Sequence, residues 1–147
     1  MWSPQGLENI KKIERVQRRF TKRFPGFSDV PYLDRLKMLK LERLELRRVR
    51  FDIIMSYNIV KGMNGLIFSD FFAYAPLERV TRSLSRNSLL LANNKKGLTV
   101  YSNSFAQRST KFWNLLSDHE VSAPNIEVFK ARLSNVDLSS LCLVNDF

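Results

Sequence analysis

The sequence holds one cysteine, Cys142, and one histidine, His119, among 147 residues. A single thiol excludes an internal disulfide framework, and one thiol with one imidazole cannot build a Cys- or His-rich metal site. No two aspartates are adjacent, and Asp29, Asp34, Asp52 and Asp70 are scattered. The clustered carboxylates that two-metal nucleotidyl transfer requires are therefore missing. His119 precedes Glu120, but a zincin motif needs a second histidine. The 5 glycines form no phosphate-cradling loop. No catalytic residue, metal or cofactor is expected, and His119 reads as a surface loop residue. Long apolar runs are also lacking, since none approaches the ~18–20 residues of a membrane span. The opening Met1-Trp2-Ser3-Pro4 has no signal-peptide shape. A cytosolic or nuclear chain without a membrane partner is the expectation.

What is present is positive charge. Lys and Arg number 24 against 14 Asp and Glu, for a net charge of +10. Residues 1–61 carry 15 basic and 7 acidic residues, whereas residues 62–147 carry 9 and 7. A basic half beside a near-neutral half suggests a polyanion approaching one side, with a plain solubility charge as the alternative. At 44% hydrophobic and 12% aromatic residues, the chain has the material for a core and should not be disordered throughout.

Periodicity predicts a mainly α fold. The first helix is predicted from about Leu7 to Phe24, stopped by Pro25-Gly26. Ile10, Ile13, Val16, Phe20 and Phe24 fall within an arc of about 120°, the expected inward face. Lys11, Lys12, Arg15, Arg18, Arg19, Lys22 and Arg23 occupy a separate arc of about 140°, with Glu14 beside them. A short helix is predicted at Tyr32–Leu39. A central helix is predicted over 42–61 and should end at Gly62. Leu46, Val49, Ile53, Tyr57 and Val60 share one of its faces, and Leu44, Phe51, Met55 and Ile59 the opposite one. Arg47 and Arg50 line a remaining ridge, and Arg48 could pair with Asp52 four residues on.

The middle is irregular. Phe68, Phe71, Phe72 and Tyr74 could pack back on the central helix. Leu89–Leu91 and Leu98–Tyr101, flanking Asn93–Gly97, read either as a short β-hairpin or as an ordered loop. Ser104 and Gln107 have capping-box spacing before a helix whose Phe105, Ser109, Phe112, Trp113 and Leu116 share a face. Pro124 should open a last helix with Ile126, Phe129 and Leu133 inward. The expected organisation is a small bundle: 1–62 basic and helical, 63–103 a connector, 104–136 helical and 137–147 a fraying tail.

The chemistry that remains is phosphate binding, which needs cations spaced to follow a backbone. Arg15, Arg18, Arg19 and Lys22 recur at helical spacing, and arginine can fork onto a phosphate. Lys11, Lys12, Arg23, Arg47 and Arg50 complete the candidate site, whose partner would be the backbone of RNA, DNA or their hybrid. Two other readings stand beside it, a solvated helix face and an amphipathic helix at a membrane surface. Trp113 and the phenylalanines could stack on bases, but their predicted inward placement makes them core.

Specific words carry a family resemblance. Ile13-Glu14-Arg15-Val16-Gln17-Arg18-Arg19-Phe20-Thr21-Lys22, preceded by Trp2-Ser3-Pro4, resembles a signature found downstream of the catalytic palm in jockey-like non-LTR retrotransposon reverse transcriptases. Tyr32 with Arg35-Leu36, then Leu44-Glu45 with Arg47-Arg48 and Asp52, continue it in order. Phe105, Arg108 and Trp113-Asn114 match a second block. Val121-Ser122-Ala123-Pro124 with Phe129-Lys130 and Leu133 match a third. Asn58 and Ser117 depart from the pattern, standing where Lys and Pro are usual. The resemblance spans roughly residues 2–133. It implies the helical thumb and tail of a parent RNA-directed DNA polymerase whose fingers, palm and endonuclease are not in this sequence, and those missing parts would be further partners. The rival reading from another class is a protein-interaction module, or one without function.

Overall fold

A computed structural model describes Pro4, residues 6–76, 87–92 and 104–143. Among these residues it is mainly helical: α1 (Leu7–Thr21), α2 (Tyr32–Met38), α3 (Leu44–Val60), α4 (Phe68–Phe71), α5 (Phe105–Trp113), α6 (Asp118–Val121), α7 (Ile126–Ser134) and a final 3-10 turn, Ser139–Leu141. The chain divides into two compact units, Met1–Arg50 with Leu138–Phe147, and Phe51–Asp137, so that α3 contributes to both.

In the first unit α1 stops at Thr21, three residues before the expected end. Lys22 caps it, and Phe24–Phe27 form a turn in which Gly26 adopts φ +81°. Pro31 precedes α2, where its fixed φ suits a helix start. The buried face of α1 is not the predicted one. Ile10 is buried, but its inward companions are Glu14 and Thr21, while Val16 and Phe20 stand 68% and 59% exposed. The reason is a polar network that outcompetes the apolar arc. Glu14 is fully buried because the Tyr32 hydroxyl donates to its Oε1 at 2.6 Å and the Leu44 amide to its Oε2 at 3.0 Å. Gln17 donates through Nε2 to the Glu42 carbonyl at 3.1 Å. A buried carboxylate with such donors avoids the desolvation penalty that an unpartnered one would meet. Burial, then the bond to Glu14 and its charge, push the Tyr32 phenol well above the usual range.

The expected fraying tail is also a correction over its described residues, 137–143. Leu138 and Cys142 are buried, and the Leu143 amide donates to Glu45 Oε1 at 2.6 Å within the same unit. Burial first, and then the Glu45 charge, push the Cys142 thiol up to about 11.

The second unit packs around aromatic rings. Tyr57 stacks on Phe129 with centroids 4.1 Å apart, and Trp113 lies 6.3 Å from the same ring. Ile53, Tyr57, Trp113, Leu116, Phe129 and Leu133 are essentially inaccessible to solvent, as their periodicity predicts. α3 departs from its expected second apolar face: Ile59 is buried, but Phe51 and Met55 are exposed. Its buried arc takes Glu45, Arg48, Asp52 and Ser56 instead. Asp52 does not pair with Arg48. Arg108 of α5 reaches it at 2.6 Å through Nε and 3.2 Å through Nη2, a fork that the local spacing of Arg48 does not provide.

Gly62 ends α3 at φ +66°, with the Met63 amide donating to the Asn58 carbonyl at 2.8 Å, as a Schellman stop requires. The Ser104 hydroxyl accepts from the Gln107 amide at 3.4 Å to start α5. Pro124 stands two residues before α7, whose N-cap is Asn125, accepting from the Val128 amide at 2.9 Å. Of the proposed hairpin, the arm Leu98–Tyr101 lies outside the described residues. The other arm pairs elsewhere, Leu91 forming an antiparallel bridge with Tyr74. Asn114 holds Leu91 from the far side, accepting its amide at 2.9 Å and donating to its carbonyl at 2.8 Å. His119 is exposed, as expected, but sits on α6 rather than in a loop.

Candidate nucleic-acid interface

All nine basic residues singled out from the sequence lie in the first unit. Helical geometry sets their exposure. With Ile10, Glu14 and Thr21 turned inward, the arc holding Lys12, Arg15, Arg18, Arg19 and Lys22 faces solvent, and Arg23 follows it in the turn. Among the described residues no carboxylate stands within 4 Å of any of these six. Glu14, the one acidic residue that the sequence sets beside them, is buried and committed to Tyr32 and Leu44. It makes no ion pair with the basic arc.

Three of the nine are placed differently. Lys11 lies 3.8 Å from Glu8, a solvated pair of small energetic worth. Arg50 is half-buried and bound to Glu42 at 2.7 Å. Arg47 is exposed on α3, and neither it nor Arg50 joins the arginines that gather at the C-terminal end of α1.

That gathering is a cavity of about 350 Å³ lined by Arg18, Arg19, Lys22, Arg35, Tyr32 and the Ser28–Pro31 segment. Arg35, which sequence reasoning noticed only as part of a family word, forms part of its wall and is 4% exposed. Its guanidinium donates through Nε to Thr21 Oγ1 at 3.2 Å, through Nη1 to the Val30 carbonyl at 2.5 Å and through Nη2 to the Arg18 carbonyl at 3.2 Å. Every acceptor is neutral. The Tyr32 ring lies between two cations, with Arg18 and Arg35 at 5.8 and 5.6 Å from its centroid.

Sequence reasoning also missed the aromatic flank. Phe20 was assigned to the core, yet it is exposed next to the basic arc and meets Phe24 edge-on at 5.3 Å. Phe24 in turn lies 6.3 Å from Phe27. The signal for this was Glu14, a carboxylate on the wheel position next to Ile10, whose burial displaces the phenylalanines outward. Trp113, by contrast, is core as expected, its indole donating to the Leu89 carbonyl at 2.8 Å.

Among the described residues no three His, Cys, Asp or Glu side chains are grouped so as to hold a metal ion, and no helix is long and apolar enough to cross a membrane. Comparison with protein-family models, curated proteins and solved structures finds no match to this chain.

Proposed function

We propose that this chain is a sequence-nonspecific nucleic-acid-binding module that grips the sugar–phosphate backbone of RNA, DNA or their hybrid along α1. The observation that carries the reading is the exposed basic arc of α1 continued by Lys22 and Arg23, whose six cations have no carboxylate partner among the described residues. Cations held at helical spacing and left unneutralised attract a polyanion and release its counterions on contact. Phe20 adds an aromatic face beside Arg19 and Arg23 on which a base of any identity can stack. In this reading the chain corresponds to the thumb and tail of the RNA-directed DNA polymerase that its sequence words resemble. It has no catalysis of its own, works in the nucleus or cytoplasm, and the fingers and palm of such a polymerase would be its natural protein partners.

The test is fluorescence anisotropy with labelled oligonucleotides of several sequences. Replacing Arg15, Arg18, Arg19 and Lys22 by Gln keeps helix propensity nearly constant, so the fold should survive. Affinity should fall on all sequences alike, because phosphate contacts position a protein without reading bases. Undiminished binding by a folded fourfold variant would refute the assignment.

A second reading has its own observation. Val16 and Phe20 form an exposed apolar stripe, and such stripes also serve protein partners. A protein-interaction module would bind oligonucleotides weakly and lose little on the fourfold substitution. It would lose its partner when Val16 and Phe20 become Ser.

A further inference from the structure

The cavity at the end of α1 has a charge pattern that the basic arc alone does not explain. Four cations, Arg18, Arg19, Lys22 and Arg35, line it against one carboxylate, Asp29. Asp29 accepts from the Ser28 hydroxyl at 2.9 Å and, among the described residues, makes no ion pair with any of the four. Arg35 is the informative member. A guanidinium has five N–H donors, and its three bonds to Thr21, Val30 and Arg18 leave two of them over. A cation this deeply buried ordinarily has an anion beside it, since neutral carbonyls offset only part of the lost hydration. The Tyr32 ring meanwhile holds Arg18 and Arg35 each within 6 Å of its centroid. Two like charges kept that close raise the local potential further. The cavity is thus concave, cationic and supplied with spare donors from a rigid side chain.

We propose that this cavity is a phosphate-binding site that seats one phosphate group of the strand lying along α1, with Arg35 as its fixed donor and Arg18, Arg19 and Lys22 closing over the oxygens. The site fixes the strand at one point, whereas Lys12 and Arg15 contact it loosely. The strand as the source of the phosphate rests on the nucleic-acid reading above; the affinity of the cavity for phosphate does not.

Asp29 makes the test independent of misfolding, because its neutralisation should strengthen binding. Asp29→Asn keeps an oxygen acceptor for Ser28 while removing the one negative charge in the lining. The full chain is titrated with inorganic phosphate, with chloride at equal ionic strength as the control, and followed by amide NMR shifts. Saturable shifts confined to residues 18–35 are expected. Asp29→Asn should tighten inorganic phosphate about fivefold, and Arg15→Gln, outside the cavity, should leave it unchanged. Labelled single strands should follow the same order for Asp29→Asn and weaken for Arg15→Gln. Shifts no larger than those with chloride, or an Asp29→Asn variant that binds phosphate like the parent, would overturn the site. If that variant tightens inorganic phosphate but not the strand, the cavity holds free phosphate and the strand assignment is wrong. Loss of strand binding in the fourfold Gln variant, with no phosphate response in the cavity, would refute the cavity while leaving the α1 reading intact.

Discussion

The two units are built from different interiors. The second unit buries Ile53, Tyr57, Ile59, Phe72, Leu91, Trp113, Leu116, Val121, Phe129 and Leu133, an apolar core with aromatic stacking at its centre, beside Asp52, Ser56, Asn87, Ser109 and Thr110. The first buries six apolar residues, Ile10, Tyr32, Leu36, Val49, Leu138 and Cys142, beside Glu14, Thr21, Arg35, Glu45 and Arg48. Among the described residues Glu14, Arg35, Glu45 and Arg48 are buried charges in this unit, against Asp52 alone in the second, while both units leave large apolar side chains outside. The difference teaches where function can be accommodated. A unit fixed by a Glu14–Tyr32–Leu44 network and by Arg35 leaves both the basic and the apolar flanks of α1 open to partners.

Three substitutions sharpen this contrast. The largest effect is expected at Phe129→Ala, which removes the ring packed on Tyr57 and Trp113 and should cost about 3–5 kcal/mol in urea unfolding. A loss under about 1 kcal/mol would mean that the aromatic cluster is not the core of the second unit. Next comes Glu14→Ala, which removes the acceptor of the Leu44 amide and the closer of two acceptors of the Tyr32 hydroxyl, the other being Gln17 Oε1 at 2.9 Å. About 2 kcal/mol should be lost, and adding Tyr32→Phe should add less than its separate cost, since both act on one bond. Additive losses would show that the network is not the unit's lock. The smallest effect is expected at Phe20→Ser, below about 0.5 kcal/mol for a side chain that solvent already reaches. A core phenylalanine would reveal itself by a loss several times larger.

The same contrast explains what could be read from sequence. The core of the second unit was legible where apolar spacing and burial coincide, at Ile53 with Tyr57, Trp113 with Leu116, and Phe129 with Leu133, but the same spacing set Phe51 and Met55 on an apolar face and both are exposed. The helix of the first unit and its basic arc were legible for the same geometrical reason. Its inward face was not, because Glu14 is buried only when Tyr32 and Leu44 arrive from elsewhere in the chain. Hydropathy assigns such a residue to solvent. Arg35 escaped notice likewise, since its partners are the carbonyls of Arg18 and Val30, which no side-chain pattern records. Asp52 was matched to Arg48 by its helical spacing, but the fork from Arg108 comes from a residue 56 positions away. The tail was misjudged for want of a visible partner, and Glu45 turned out to supply it.

The central claim is that α1 binds a strand by neutralising its phosphates. It is tested most directly by the salt dependence of single-strand binding, measured by anisotropy from low to moderate salt. With one phosphate seated by Arg18, Arg19 and Lys22 together and one each at Lys12 and Arg15, the log–log slope should be about −2, and Arg15→Gln alone should make it shallower by about 0.7. A parent slope near zero, or a slope that the fourfold Gln variant leaves unchanged, would contradict the account.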